Sequence, residues 1–281
     1  MKIAFLGGGN MASALIGGLV AKGHDPRSIS VIEMSPAARE RLGALYPIHL
    51  STAPDAAMQA ADMLVLAVKP QDMKRALASI SGFSKEKLVV SVAAGITLDT
   101  LSRWLGGHRK IVRCMPNTPG LIGAGVTGLF ASQDVSREEK EKAEKILRSV
   151  GEVVWLAEER LLDPVTAVSA SGPAYVFWFI EQLAASAVKL GIPEADALKL
   201  AKQTVLGAAR LAASSQELPS ELRRQVTSKG GTTEAALNVF EQENLAERFF
   251  RAIEAASRRG EEMGREWGSK REGVGGQGGK D

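Results

Sequence analysis

Over residues 1–158, short β-branched runs alternate with segments whose apolar positions recur at helical spacing. The strand-type runs are KIAFLG, SISVIE, MLVLAV, KLVVSVA, KIVRCM, GVTGLF and EVVWLA. LVLAV and LVVSVA are apolar at nearly every position rather than at every second one, so both faces of these strands need cover. A parallel sheet with helices on both sides supplies it. The intervening segments include MASALIGGLVAKG and SREEKEKAEKILRSVG, the second opening on a Ser-x-x-Glu capping signature and closing on glycine. This order predicts an α/β Rossmann-type dinucleotide-binding domain.

From Asp163 onward the periods lengthen and strands cease. PAYVFWFIEQLAASAVKLG, PEADALKLAKQTVLGAARLAASS and two further helices through Trp267 predict an all-α second half. The expected division is 1–158 for the dinucleotide-binding domain, 159–267 for the helical domain and 268–281 for a disordered glycine-rich tail. Phe177, Trp178, Phe179 and Ile180 are apolar nearly all round, which fits either an oligomer interface or an ordinary domain core.

With 45% hydrophobic and 24% charged residues in 281, the chain can bury the cores of two domains. The net charge of +3 does not mark a nucleic-acid binder, because SREEKEKAEK and RRGEEMGREWGSKRE interleave the two signs as solvated helix faces do. Cys114 is the single cysteine and His24, His49 and His108 are scattered, so neither a disulfide nor a metal cluster is expected. These features point to a reducing, cytoplasmic compartment. MKIAFLGGGNM is too short to span a membrane and lacks a cleavage site, so no membrane association is expected.

Candidate chemistry begins at Gly7-Gly8-Gly9-Asn10-Met11-Ala12, between a strand and a helix. The run matches G-x-G-x-x-G/A, whose small residues let a pyrophosphate reach N–H groups at a helix N-terminus; a bare tight turn is the alternative. Glu33, Met34 and Ser35 end the next strand, where the adenosine ribose is expected, with Arg39 and Arg41 farther on. A carboxylate there suits a ribose 2′-hydroxyl and repels a 2′-phosphate, so these residues lean towards NAD. The arginines either fold back to a phosphate or lie on the surface of the following helix.

Ala67-Val68-Lys69-Pro70 and Ala93-Ala94-Gly95 follow strands at the carboxyl edge, where they either line the cofactor or simply end their strands. Lys69 is a candidate charge partner or general acid. Met115-Pro116-Asn117-Thr118-Pro119-Gly120 is a rigid turn that presents polar groups to the nicotinamide or substrate, or else forms a stiff interdomain corner. Ser169 to Tyr175 reads as a helix start with Pro173 at an early position. Thr227-Ser228-Lys229-Gly230-Gly231-Thr232-Thr233 precedes another helix. Its glycines and hydroxyls make either an N-cap or a pocket for a small carboxylate.

Taken together, GGGNMA, LAVKPQ, SVAAG, RCMPNTPG, SGPAYVF and QVTSKGGTTEAAL resemble, in order and spacing, the pyrroline-5-carboxylate reductases. The resemblance runs to about Trp267, with MPNTP and TSKGGTT as its discriminating pieces. It implies a Rossmann domain followed by an all-α dimerisation domain whose helices interlock between subunits, with active sites built by both. It also implies hydride reduction of 1-pyrroline-5-carboxylate to L-proline, the last step of proline biosynthesis. By this likeness Gly7, Gly9, Asn10, Met11 and Ala12 hold the dinucleotide phosphates. Ala67 to Pro70 and Ala93 to Gly95, with Asn117, line the nicotinamide half. Ser228, Gly230, Gly231, Thr232 and Thr233 hold the substrate carboxylate, Thr233 being also a candidate proton relay. Many relatives carry a small or amide residue and then arginine where this chain has Glu33 and Met34. NADH and NADPH are therefore both expected as cofactors, with a weakened NADPH preference.

The chemistry of the residues agrees. Ketone reduction calls for a placed general acid, yet all three histidines fall outside the candidate loops. A protonated cyclic imine is already electrophilic and gives a stable amine, so the site needs mainly orientation. Two rivals remain at this stage: a β-hydroxyacid-type dehydrogenase using a lysine as acid, and a dinucleotide sensor without turnover.

Overall fold

The computed structural model describes residues 1–80, 82–84 and 86–269. Among them, eight strands form one sheet: β1 (Ile3–Leu6), β2 (Ile29–Ile32), β3 (His49–Ser51), β4 (Met63–Leu66), β5 (Leu88–Ser91), β6 (Ile111–Met115), β7 (Gly125–Ala131) and β8 (Gly151–Trp155). Their spatial order is β3-β2-β1-β4-β5-β6-β7-β8. The first six are parallel, β7 runs antiparallel to β6, and β8 runs parallel to β7.

The connecting helices are α1 (Asn10–Ala21), α2 (Pro36–Leu45), α3 (Ala56–Gln59), α4 (Pro70–Ser79), α5 (Leu98–Trp104), α6 (Arg137–Leu147) and α7 (Leu162–Val165). Alternate residues of one strand serve opposite cores. Ile3 and Phe5 join Leu15, Ile16 and Ile146 on one face, whereas Ala4 and Leu6 join Met58, Met73 and Leu77 on the other. Each fully buried side chain of this size contributes about 1.5–3 kcal/mol, so two-sided burial is the main force behind the uninterrupted apolar runs. The capping box of α6 forms as its sequence suggests: Ser136 accepts from the Glu139 N–H, and Glu139 accepts from the Ser136 N–H at 2.8 Å.

The structure departs from the sequence expectations at several points. β3 is an eighth strand, a three-residue edge strand with an exposed first residue, too short to show alternation. The chain divides into two compact units, Met1–Ser171 together with the chain from Ala256 onward, and Gly172–Ala255. The short helical turns after Glu158, where the helical half is expected to begin, remain tied to the sheet and so fall in the first compact unit. Arg113 of β6, buried, pairs with Glu159 at 2.5 Å.

The second unit contains α8 (Gly172–Lys189), α9 (Glu194–Ser214), α10 (Pro219–Gln225), α11 (Thr232–Gln242) and the start of α12 (Leu245–Ser269). The helix α10 was not foreseen, being seven residues of mostly polar sequence opened by proline. α12 takes in Gly268 and Ser269, which had been assigned to the tail; the remainder of that tail, 270–281, lies outside the described residues. Tyr175 and Phe249 meet edge to face, with ring centroids 6.4 Å apart. Ala197 and Ala201 are the buried apolar residues of this unit. Trp178 is 58% exposed and Phe250 59%, so the apolar run on α8 does not serve an ordinary core of its own chain.

Candidate active site

The parallel registers bring the carboxyl ends of β1, β2, β4, β5 and β6 to one edge of the sheet. Strand order reverses between β1 and β4, which opens the crevice where such sheets take ligands. Gly7 leaves β1 at φ +101°, its N–H on the Ile32 carbonyl at 2.8 Å. A Cβ on Gly7 would stand 2.8 Å from the Ala67 carbonyl oxygen, so the close approach of the two loops requires glycine. Gly9 differs. It is the N-cap of α1 at φ −70°, open to any residue, and a Cβ on it meets no atom within 4 Å. Packing within the unit does not ask for glycine there. A pyrophosphate lying against the helix N-terminus does, and the loop fits one. Asn10 is exposed beside it, while Ala12 is fully buried and lets α1 settle on the sheet.

Glu33 sits differently from the expectation of a carboxylate free to meet the ribose. One oxygen accepts from the Gly8 N–H and the other from the Ser35 N–H, each at 2.7 Å. Arg39 donates to the carbonyls of Glu33 (2.7 Å) and Met34 (2.8 Å), and Arg41 to the Gly8 carbonyl (3.2 Å). The arginines thus fold back onto the loop, so the turn expected to meet the adenosine ribose carries one carboxylate and two guanidinium groups.

Ala67 and Val68 are half-buried at the same edge, Lys69 is exposed at the N-cap of α4, and Pro70 is its first helical residue. Ala93 is buried, and Gly95 takes φ +72°. Asn117 is committed internally: its amide nitrogen donates to the Ser169 carbonyl at 3.3 Å, and its amide oxygen accepts from the Val126 N–H at 2.9 Å. This side chain braces the corner after β6. The buried Cys114 thiol donates to the Ser91 carbonyl at 3.2 Å, and burial pushes its pKa up. All three histidines lie elsewhere. His24 and His108 precede β2 and β6, and His49 opens β3, at the ends of strands opposite to the glycine loop.

In the helical unit, Gly231 is the N-cap of α11, and Thr232 and Thr233 are its first two helical residues. The N–H groups of the first turn precede the first bond along the helix, Ala235 N–H to Gly231 carbonyl at 3.1 Å. Ser228 packs against Gly231 so closely that a Cβ there would collide with its Oγ. Gly230, at φ +72°, gives its N–H to Glu234 at 2.7 Å. Sequence reasoning missed Glu234, although an acid in the third helical position is itself a capping signal. Hydroxyls of Ser228, Thr232 and Thr233 and free N–H groups therefore gather at one positive helix end, suited to a carboxylate.

Comparison with known proteins joins the two halves. The family described as pyrroline-5-carboxylate reductase dimerisation matches residues 159–263, and the one described as NADP oxidoreductase, coenzyme F420-dependent, matches residues 2–95. A pyrroline-5-carboxylate reductase of Pseudomonas aeruginosa is 42% identical over 268 residues, covering 95% of this chain and 98% of the relative. The chain belongs to the pyrroline-5-carboxylate reductase family. Among solved structures of pyrroline-5-carboxylate reductases, that from Coxiella burnetii is similar with a TM-score of 0.89 at 41% identity, covering 93% of this chain and 98% of that one. That from Plasmodium falciparum, with NADP bound, gives 0.81 at 28%, covering 94% and 98%. Membership in the reductase family accounts for the joint presence of a Rossmann-like sheet unit and a helical dimerisation region in one chain.

Proposed function

We propose that this protein reduces 1-pyrroline-5-carboxylate to L-proline with a reduced nicotinamide dinucleotide. The near full-length likeness to pyrroline-5-carboxylate reductases, spanning both units, carries the reading. Gly7 to Ala12 hold the pyrophosphate at the α1 N-terminus, and Ala67 to Pro70 with Ala93 to Gly95 flank the nicotinamide half. When bound, that cofactor supplies a hydride to the imine carbon. Ser228, Thr232 and Thr233, with the N–H groups of the Gly230–Gly231 turn and α11, fix the substrate carboxylate and with it the imine. The imine nitrogen carries a proton when the hydride arrives and becomes the secondary amine of proline, so no alkoxide forms and no buried acid is required. In this reading the Thr233 hydroxyl relays to that nitrogen the proton it carries before hydride transfer. The histidines, at the opposite ends of their strands, supply no acid to the hydroxyacid-dehydrogenase reading, which is left with Lys69 as its candidate acid. Oxidation of NADPH or NADH with pyrroline-5-carboxylate, and none with keto acids, is the expected result. Turnover of keto acids, or of neither, overturns the reading.

Both NADH and NADPH support turnover in this reading. Glu33 adds a negative charge near the ribose, and Arg39 and Arg41 offset it. Removing the carboxylate should favour the 2′-phosphate. Two charges about 5 Å apart in water interact by about 1 kcal/mol, so Glu33→Ser is expected to lower KM for NADPH roughly fivefold more than KM for NADH. An unchanged ratio in steady-state kinetics would show that the 2′-position lies away from residue 33.

The exposed aromatic residues of α8 and α12 are covered by a second copy of the chain in this proposal, with the dimerisation-family match as support. Sedimentation at micromolar concentration is expected to give a dimer or larger species. A fully active monomer would exclude the arrangement. No helix among the described residues is long and apolar enough to cross a membrane. We place the protein in the cytoplasm, in keeping with its lone buried thiol.

A further inference from the structure

The C-terminal part of α12 carries glycines at every fourth position, Gly260, Gly264 and Gly268, which share one helix face. Each faces a different neighbour in the first unit. A Cβ on Gly260 would lie 3.3 Å from a carboxylate oxygen of Asp163, one on Gly264 would lie 3.2 Å from the Gly95 carbonyl oxygen, and one on Gly268 would lie 3.6 Å from the Thr100 hydroxyl. The contact is reciprocal. A Cβ on Gly95 would stand 3.2 Å from Met263 Cβ and 3.5 Å from the Gly264 nitrogen and from Trp267 Cδ1. Trp267 packs against the core that contains Ala93, Ile96 and Leu101. On the other side of the same loop, Glu159 accepts the Leu98 N–H at 2.7 Å while paired with buried Arg113. The 93–98 loop is therefore held between an ion pair anchored on β6 and the bare backbone of α12.

We propose that Gly264 is a positioning residue for hydride transfer: the absence of a side chain lets α12 seat directly on Gly95 and sets where the 93–95 loop meets the nicotinamide. The inference rests on the proposed cofactor role of that loop. Glycine in a helix interior is otherwise unfavourable relative to alanine. Its presence at the closest contact has a steric reason, whereas Gly268, at ordinary van der Waals distance, has room for a methyl group.

The test compares Gly264→Ala and Gly268→Ala in the full chain with the wild type. Wild-type turnover with 1-pyrroline-5-carboxylate comes first; without it the proposed reaction itself is rejected. Given turnover, a methyl at 264 must push the loop by a few tenths of an ångström. Since an ångström of misplacement costs about a hundredfold, kcat is expected to fall roughly three- to tenfold. KM for the pyrroline substrate should stay within about twofold, because the carboxylate site is untouched. Affinity for ADP-ribose, which lacks the nicotinamide, should also be unchanged. Gly268→Ala is expected to keep wild-type kcat and to melt no lower than the wild type. Should Gly264→Ala not fold, Trp267→Leu loosens the same loop from the same helix and is expected to show the same split between kcat and ADP-ribose affinity. The proposal is overturned if wild-type kcat persists in the folded loop variant, if Gly268→Ala loses as much, or if ADP-ribose affinity falls together with kcat.

Discussion

Gly9→Ala is expected to raise the dissociation constants of NADPH and NADH at least about tenfold while shifting the melting temperature by no more than about 2–3 °C. The small stability change follows from two opposing contributions. Alanine is a poorer N-cap than glycine by about 0.5–1 kcal/mol, while its reduced freedom in the unfolded chain returns about 0.4–1 kcal/mol at a compatible φ. The φ of −70° is compatible, and a Cβ has open space. The affinity loss follows from the methyl standing where a pyrophosphate must approach the N–H groups of α1, and hydrogen bonds to charged groups are worth about 1.5–3 kcal/mol each. Gly7→Ala provides the contrast. With φ +101° and a collision against the Ala67 carbonyl, it should lower the melting temperature outright. Calorimetry of dinucleotide binding and thermal melting on the same pair of variants separates the two. Unchanged affinity in Gly9→Ala would show that the glycine loop is only a turn.

The second large effect concerns Thr233→Val, which keeps the branched shape and removes one hydroxyl. If that hydroxyl meets the substrate carboxylate, kcat/KM should fall ten- to a hundredfold, the equivalent of about 1.5–3 kcal/mol. Loss concentrated in KM marks an orienting role, and a drop in kcat as well marks delivery of the proton. The competing idea, that Thr233 caps its helix, is weakened by the geometry, because the N-cap is Gly231, Thr233 is the second residue of α11, and no side-chain cap bond forms there. Stability should therefore change little. Steady-state kinetics and melting on one preparation decide, and a less stable variant with wild-type kcat/KM would return Thr233 to a purely structural role.

Legibility in the sequence followed the physical source of each feature. The glycine loop, the apolar strands and the α6 capping box depend on local spacing, and they occur where the spacing places them. β3 was invisible because an edge strand of three residues has no periodicity to read. The charged stretch RRGEEMGREWGSKRE reads as a solvated face. Its ion pairs, such as Arg259 with Glu262 and Glu266, are indeed on the surface, but the same helix turns its glycines to the sheet unit. Charge dominates the composition there, while the packed face joins Met263 and Trp267 to glycines that have no side chain to announce them. Glu33 was legible as an acid at the right place. Its engagement with Gly8 and Ser35 was not, since that depends on how two loops approach across the sheet edge.

The scant burial within Gly172–Ala255 has a consequence for how mutations there add up. In a twofold assembly each surface patch meets its own copy, so one codon change alters the interface at two places. Where the two places act independently, a substitution at Trp178 or Phe250 enters the assembly free energy twice. A change of the same size in the β1–β4 core enters once per folded chain. A mild lesion in the helical unit can thus outweigh a harsher one in the sheet, and its severity depends on how many copies of the protein the cell contains.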